Sequence, residues 1–361
     1  MRRRAVLSGI AAGGTIGLAG CLNQGGGDEG GDDSSSESSS SDGSSSSGET
    51  DTTNTQVETE ESLTFASSFQ AGTLENVAIQ RLKERVESET NGRIAIEHVP
   101  GGAYGGEVEM TQTLSSGGLG GMGAGPIPIF MYANEYWWTS SPYVLSSYDQ
   151  FARIMESDLI QENVYTPIAE NNNMRALGRP FYVGKRNITT NQAVRTPEDA
   201  QGLKIRVPGL DSWVDTWEEI GVQPTSVAGD EIYSALQTGT AAGAAVDANL
   251  AQSTKLHEVQ SHVCLTEQMV GNRNLWINES RFQSLDQSDQ DLLLEIGQEV
   301  TVEVAELGQE REEETINELE DEGMTIVRDV DVEAFRDAAA PAIERLFEND
   351  WALTWEEVKN M

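Results

Sequence analysis

Cysteine and histidine are scarce in this sequence, and each scarcity excludes a class of site. The only cysteines are Cys21 and Cys264, which excludes a disulfide framework and any cysteine-rich metal centre. The histidines, His98, His257 and His262, form no H-E-x-x-H motif. The chain also has no G-x-S-x-G motif, no P-loop and no paired catalytic cysteine and histidine. We therefore expect no metal site and no cofactor, and these absences disfavour an enzyme.

Basic residues are also few, and lysine is the rarest of them. The 60 acidic residues outnumber the 23 basic ones, which gives a net charge of -37. A field of this sign repels polyanions, so no nucleic acid is expected as a partner. Acid-rich, lysine-poor surfaces are typical of halophilic archaea, because at molar salt the Debye length is about 3 Å and self-repulsion is screened. We interpret the chain as haloarchaeal in type, and the alternative is an ordinary acidic protein.

The first residues, 1–21, have the pattern of an export signal. An arginine cluster is followed by a glycine-diluted apolar run that is too short to cross a membrane, and the string LAGC ends at Cys21. The pattern is similar to a twin-arginine signal joined to a lipobox, with Cys21 as the lipidated residue. Residues 22–61 are rich in Gly, Ser, Thr, Asp and Glu without Lys or Arg, which predicts a disordered acidic tether. We therefore expect an exported protein, anchored to the outer face of the cytoplasmic membrane by lipid.

From residue 62 onward, strand and helix patterns alternate. The patterns predict strands at 62–68, 93–98, 119–125, 174–178, 203–207, 222–227 and 243–248. They predict helices at 73–91, 107–115, 211–220, 230–238 and 287–322. The last of these would extend about 54 Å, which is longer than one lobe is wide. The alternation predicts an α/β fold of two similar lobes, with the long helix crossing both.

An arginine inside an apolar strand is the first candidate for a binding residue. In GLKIRVPG, Leu203, Ile205 and Val207 alternate with polar residues, and Pro208 ends the strand, so Arg206 lies at its carboxyl end. Ligands of open α/β sheets bind at that edge, and a guanidinium there suits an anion. The alternative is a permanent ion pair with one of the many carboxylates.

The glycines of GGLGGMGAG satisfy G-x-G-x-x-G at Gly118, Gly120 and Gly123, which by itself indicates a dinucleotide site. No helix pattern follows, because Pro126 and Pro128 come directly after the glycines. We therefore interpret this segment as a strand end where the backbone approaches a ligand.

The chain contains, in order, the strings VPGGAYGGEVEMTQTLSSGGLG, VRTPEDAQGLKIRVPG and GVQPTSVAGDEIYSALQTGT. Together they resemble the DctP family of solute-binding proteins that serve TRAP transporters. The first string is similar to the family's glycine-led acidic helix start, and the second is similar to the segment whose strand carries a binding arginine. The third keeps the E-x-Y-x-A-L-Q-x-G core from Glu231 to Gly239. The resemblance covers about residues 62–350.

The resemblance implies a two-lobed, periplasmic-binding-protein-like fold with a hinge, which captures an organic acid without chemistry. The implied partners are a small carboxylate ligand and the membrane subunits of an ion-coupled TRAP permease. We predict lobe I at about 62–186 and 249–285, and lobe II at about 187–248 with the C-terminal helices. An exported α/β enzyme and a surface adhesion or structural lipoprotein remain as alternatives.

The resemblance also implies roles for individual residues. Arg206 matches the arginine that meets the ligand carboxylate. Arg186 is the best match to a second arginine, with Arg179 as competitor. Glu107 matches an acidic position that contacts hydroxyl or amine groups of ligands in part of the family.

At two positions the chain departs from the family's pattern. Val246 stands at the usual asparagine, and Gly229 stands where an aromatic residue often stacks on the ligand. Asp247 and Asn249 are the candidates to replace the polar contact. Trp213 is a candidate for replacement aromatic surface, together with Trp137, Trp138 and Trp217. These departures predict a cleft of different shape, and the identity of the acid stays open.

Overall fold

In the computed structural model, which describes residues 59–361, strands and helices alternate along the chain. The strands are β1 (Glu61–Ala66), β2 (Ile94–Val99), β3 (Gly121–Ala124), β4 (Met174–Ala176), β5 (Phe181–Thr190), β6 (Lys204–Val207), β7 (Gln223–Ser226), β8 (Gly243–Asp247), β9 (His262–Asn278) and β10 (Thr325–Val327). The helices are α1 (Leu74–Glu89), α2 (Glu107–Ser115), α3 (Ile127–Tyr132), α4 (Tyr148–Met155), α5 (Asp158–Ile160), α6 (Thr166–Asn172), α7 (Asp211–Ile220), α8 (Ile232–Gln237), α9 (Ala248–Ser253), α10 (Glu279–Gln283), α11 (Gln287–Asp321), α12 (Val332–Asn349) and α13 (Trp355–Lys359). The predicted signal, Cys21 and residues 22–58 of the predicted tether lie outside the described residues.

Helix α1 shows how local sequence sets these elements. Ala78, Leu82 and Val86 recur at helical spacing, and all three are buried. The helix ends where Asn91 and Gly92 adopt positive φ values of 52° and 81°, a conformation that glycine and asparagine tolerate best. The predicted helices at 73–91, 107–115 and 211–220 are confirmed within two residues at each end.

The sheet topology separates two groups of strands. The strand order is β2-β1-β3-β9-β5-β8-β6-β7, and β4 and β10 also pair with β9. Strands β1, β2 and β3 are parallel and, with α1 and α2, form the first lobe. Strands β6, β7 and β8 are parallel and, with α7 and α8, form the second lobe. Among the described strands, only the antiparallel β5 and β9 connect the two groups within the sheet. The boundaries of the two lobes, at about residues 186 and 249, stay a prediction from the sequence.

Helix α11 crosses both groups, as predicted. It is 35 residues long and packs against α1 on one side and against β5 and α9 on the other. A side chain at Gly308 would overlap the Tyr182 carbonyl, and one at Gly297 would overlap Leu177, so both positions require glycine for close approach. The helix therefore rests directly on the chain segment that links the two lobes. Within residues 59–361, every helix is too short or too polar to span a bilayer.

The expected strand-helix pattern was incomplete, because the short helices α3, α4, α5, α6, α9 and α10 and the strands β5, β9 and β10 were not predicted. Of these, β9 spans 17 residues. The statement that no helix follows the glycine-rich segment was wrong, because α3 begins at Ile127. Proline is tolerated in the first turn of a helix, where the backbone N–H has no intrahelical partner, so Pro126 and Pro128 did not exclude one.

Candidate functional site

A cavity of about 620 Å³ opens between the two lobes. The first lobe contributes the segments after β1 and at the start of α2, and the second contributes the ends of β6 and β7 and the start of α7. Sites of small ligands typically have this size and lie where the carboxyl ends of parallel strands meet. The cavity is therefore the candidate binding site.

Arg206 lies in the wall of this cavity. It is 4% exposed, and its Nε donates to the Val227 carbonyl at 2.8 Å. Its neighbours Ile205 and Val207 are fully buried, so the strand alternation turns the guanidinium away from the core and toward the cavity. Among the described residues, its terminal nitrogens find no hydrogen-bond partner.

Arg186 approaches the same cavity from β5. Its Nη2 donates to the Ala245 carbonyl at 3.3 Å, and its guanidinium carbon lies 5.3 Å from the ring centroid of Trp213. Its buried Nε has no partner among the described residues. The structure therefore brings Arg186 to the site together with Trp213. Arg179 instead pairs with Glu156 at 2.8 Å, away from the cavity.

The two guanidinium groups carry positive charge that the described residues do not neutralise by contact. Neither makes an ion pair with a carboxylate of residues 59–361. Burial, and then the charge of Arg186, lowers the pKa of Arg206 to about 9. Burial also lowers the pKa of Arg186 to about 10; the charge of Asp247 opposes this shift, and the charge of Arg273 adds to it. Both groups still carry a proton at neutral pH, so the lowered pKa values reflect charge that an incoming anion would stabilise.

Glu107 supplies negative charge to the cavity from the first lobe, and its charge acts on Arg186, Arg206 and Arg273. It is the first residue of α2, and its Oε1 accepts the backbone N–H of Gly125. A carboxylate at a helix N-terminus is also favoured by the helix dipole. One oxygen is therefore held in place, and the other remains to accept a proton donor on a ligand.

Arg273 is a third cation of the cavity, and sequence reasoning missed it. It lies on β9, is 4% exposed, and its guanidinium carbon sits 5.1 Å from the ring centroid of Phe69. Unlike Arg186 and Arg206 it has carboxylates nearby, with Glu75 at 3.8 Å and Asp247 at 3.5 Å. The signal was available, because Arg273 also interrupts a strand of buried residues.

The structure does not bring Asp247 and Asn249 into the lining of the cavity. Asp247 is buried, and its Oδ1 accepts the backbone N–H of Leu250 at 2.8 Å, which caps α9. Its other oxygen faces Arg273. Asn249 is half-buried within α9. Val246, which stands at the family's usual asparagine, is a core side chain and is 1% exposed.

Glu75 lies beneath Arg273 and is almost completely buried. Burial raises the pKa of Glu75 to about 7; the charge of Arg273 opposes this shift, and Asp247 and Glu107 add to it. The carboxyl group therefore changes charge near neutral pH, although it lies in the interior of the protein.

Aromatic side chains line the cavity, but not at the position of Gly229. A side chain at Gly229 would meet open space. Trp213 and Trp137 are both in the lining, whereas Trp138 and Trp217 are buried in the core. Residues 59–361 contain no cluster of histidine, cysteine and acidic side chains able to hold a metal ion. The site thus combines cations, one fixed carboxylate and aromatic walls, which suits the binding of an organic anion.

Comparison with known proteins identifies the family of this chain. The family of bacterial extracellular solute-binding proteins, family 7, also called DctP, matches residues 65–350. The sialic acid-binding periplasmic protein of Vibrio cholerae is 28% identical over 295 residues, which cover 81% of this chain and 90% of that protein.

Solved structures show the same fold. A TRAP periplasmic solute-binding protein from Roseobacter denitrificans, with bound L-galactonate, matches with a TM-score of 0.75 and 27% identity over 84% of this chain and 98% of that one. A TRAP periplasmic solute-binding protein from Pseudomonas putida, with bound D-glucuronate, is 24% identical, with a TM-score of 0.76 over 83% of this chain and 97% of that one. These relatives are binding proteins rather than enzymes, and they confirm the two-lobed α/β fold. The chain belongs to the DctP family of TRAP solute-binding proteins, a family of extracytoplasmic proteins.

Proposed function

We propose that this protein captures an organic acid between its two lobes and delivers it to an ion-coupled TRAP permease. The observation that carries the proposal is the pair Arg186 and Arg206 at one cavity. Arg206 is buried and Arg186 is half-buried with a buried Nε, and neither forms an ion pair with a carboxylate among the described residues. Burying an unpaired charge is costly, so such a pair is maintained where a charged partner arrives from outside.

The roles follow from the positions of the groups. Arg206 receives the ligand carboxylate as a bidentate partner, and Arg186 contacts the same carboxylate from β5. Trp213 supports the Arg186 guanidinium and offers its ring to the ligand. Glu107 accepts a hydroxyl or amine proton of the ligand. Asp247 and Asn249 act indirectly in this proposal, Asp247 by holding Arg273 and the start of α9.

The same proposal includes the amino-terminal segment. Lipidation at Cys21 would hold the protein at the outer face of the cytoplasmic membrane, and a tether over residues 22–58 would let the binding domain reach the permease, since β1 already begins at Glu61. A diacylglyceryl anchor has two chains and is therefore stable. The net charge of -37 supports a haloarchaeal setting, because high salt screens its self-repulsion. Mass spectrometry of the amino-terminal peptide tests the anchor.

A ligand screen tests the capture of an acid. Thermal unfolding of the purified protein is followed at molar salt with a panel of dicarboxylates, 2-oxo acids, hydroxy acids and sugar acids. A stabilising acid that is recovered chemically unchanged supports the proposal. If no acid raises the unfolding temperature, and native mass spectrometry finds no retained organic anion, the proposal is wrong.

A further inference from the structure

The deep part of the cavity has apolar walls. Trp213, Trp137, Met269, Leu210 and Leu250 line it and are each 5% exposed or less. Trp213 donates its indole N–H to the Ser140 carbonyl at 3.2 Å, so it presents only its ring to the cavity. Apolar surface of this kind gains free energy when it covers an apolar ligand body rather than a polar one.

Several uncharged polar groups of the lining are exposed at the mouth or already hydrogen-bonded. The exceptions include the half-buried Ser68 and the indole N–H of Trp137, which is buried without a partner among the described residues. Gln70 and Ser226 are exposed at the mouth of the cavity. Ser253 and Thr254 donate their hydroxyl protons to the Leu250 carbonyl. Ser140 accepts a hydrogen bond from Asn272 and keeps one proton to donate.

The carboxylates of the lining are distributed in the same way. Glu109 and Asp230 are exposed at the mouth, and Glu107 is the single half-buried carboxylate among the described lining residues. The buried part of the cavity therefore has cations at one end and one acceptor that is held in position. A polyhydroxylated acid would find few acceptors for its hydroxyl protons there, because the other free groups of the lining are mainly N–H donors, and an unpaired buried polar group opposes binding.

We infer that the ligand is a monocarboxylate with an apolar body, aromatic or branched aliphatic, and with a single hydroxyl or amine near the carboxylate. The carboxylate meets Arg206 and Arg186, and the single donor meets Glu107. The apolar body lies against the walls formed by Trp213, Phe130 and Met269. This inference rests on the proposed function and names its substrate class, which differs from the polyhydroxylated sugar acids found in related structures.

A homologous series separates this inference from the proposed function. Dissociation constants are measured at molar salt for lactate, 2-hydroxybutanoate, 2-hydroxypentanoate and 2-hydroxyhexanoate, with 3-phenyllactate, L-galactonate and D-glucuronate alongside. Each added methylene should tighten binding about fourfold, because a buried methylene contributes about 0.8 kcal/mol. We expect 3-phenyllactate to bind more tightly than both sugar acids.

A flat series, or tighter binding of L-galactonate or D-glucuronate, would overturn the apolar class and leave the capture of an acid standing. If none of the acids binds, the proposed function itself fails. A matched pair of variants tests the wall: Phe130→Ser removes a half-buried lining ring, and Val108→Ser changes an exposed residue at the mouth. The gain per methylene should fall in Phe130→Ser and persist in Val108→Ser. An unchanged gain in Phe130→Ser would overturn the assignment of this wall.

Discussion

Replacing Arg206 by methionine separates ligand binding from folding. The Arg206→Met variant keeps an unbranched side chain of similar length and removes the charge. In the native protein the guanidinium makes one hydrogen bond, to the Val227 carbonyl, and no ion pair with a described carboxylate. The variant therefore removes the partner of the ligand carboxylate and little else. Losing one member of a desolvated charge pair costs about 2–5 kcal/mol, which weakens binding about 30-fold to several thousand-fold.

The ligand-free variant should be at least as stable as the native protein. Removing a buried ionic group in favour of an apolar one of similar volume often stabilises a protein, by about 1–4 kcal/mol. The lost hydrogen bond offsets this by about 1 kcal/mol. Denaturant unfolding without ligand and titration calorimetry with a stabilising acid, both at molar salt, measure the two effects.

Arg179→Met is the matched control, because Arg179 pairs with Glu156 outside the cavity. Its affinity for the acid should stay within about twofold of the native value, because Arg179 does not line the cavity. A twofold change corresponds to about 0.4 kcal/mol. Equal affinities of Arg206→Met and the native protein would refute the role of Arg206. A large loss of stability in the ligand-free Arg206→Met variant would show that the guanidinium supports the fold instead.

Three further outcomes follow from the other charges. Because the pKa of Glu75 is raised from 4.5 to about 7, the folded state binds the extra proton, and its stability should fall by about 3 kcal/mol as pH rises from 4.5 to 7. Glu75→Gln lacks this fall, so the difference in unfolding free energy between the two proteins should change across that range; a difference independent of pH contradicts the buried titration. Asp247→Asn should cost about 2 kcal/mol in urea unfolding, because the residue at position 247 faces Arg273 in the interior, and an unchanged midpoint would contradict that pairing. Transfer from molar to 0.1 M salt lengthens the Debye length from about 3 to about 10 Å, so the unfolding temperature should fall, and a constant temperature would refute the halophilic interpretation.

Helices and strands with a regular local pattern of apolar residues could be predicted from the amino-acid sequence alone. Helices α1, α2 and α7 have regular apolar spacing and clear ends, and β6 places Arg206 by simple alternation. Strand β5 has no such signal. Its pairing with β9 shifts register between Tyr182 and Lys185 and again between Arg186 and Ile188, so the two-residue period is broken.

Some residues of the candidate site could likewise be predicted from the sequence, and others could not. Arg206, Arg186 and Glu107 could be proposed because family motifs mark their positions. Arg273 was not proposed, because β9 itself was not predicted and because the surroundings of Arg273 come from α1 and from the end of β8, which are far apart in sequence. The sequence made Asp247 and Asn249 equal candidates for a polar contact with the ligand. In the structure one oxygen of Asp247 caps α9 and the other faces Arg273, whereas Asn249 lies within α9.

The amino-acid sequence by itself determined the acidic character, the alternating elements and the arginine in the strand, because these depend on composition and on neighbours in the chain. Only the tertiary structure decided that Arg186 and Arg206 share one cavity and that neither forms an ion pair with a described carboxylate. The physical reason is that the free energy of a buried charge depends on distances across the fold, and spacing along the chain does not encode those distances.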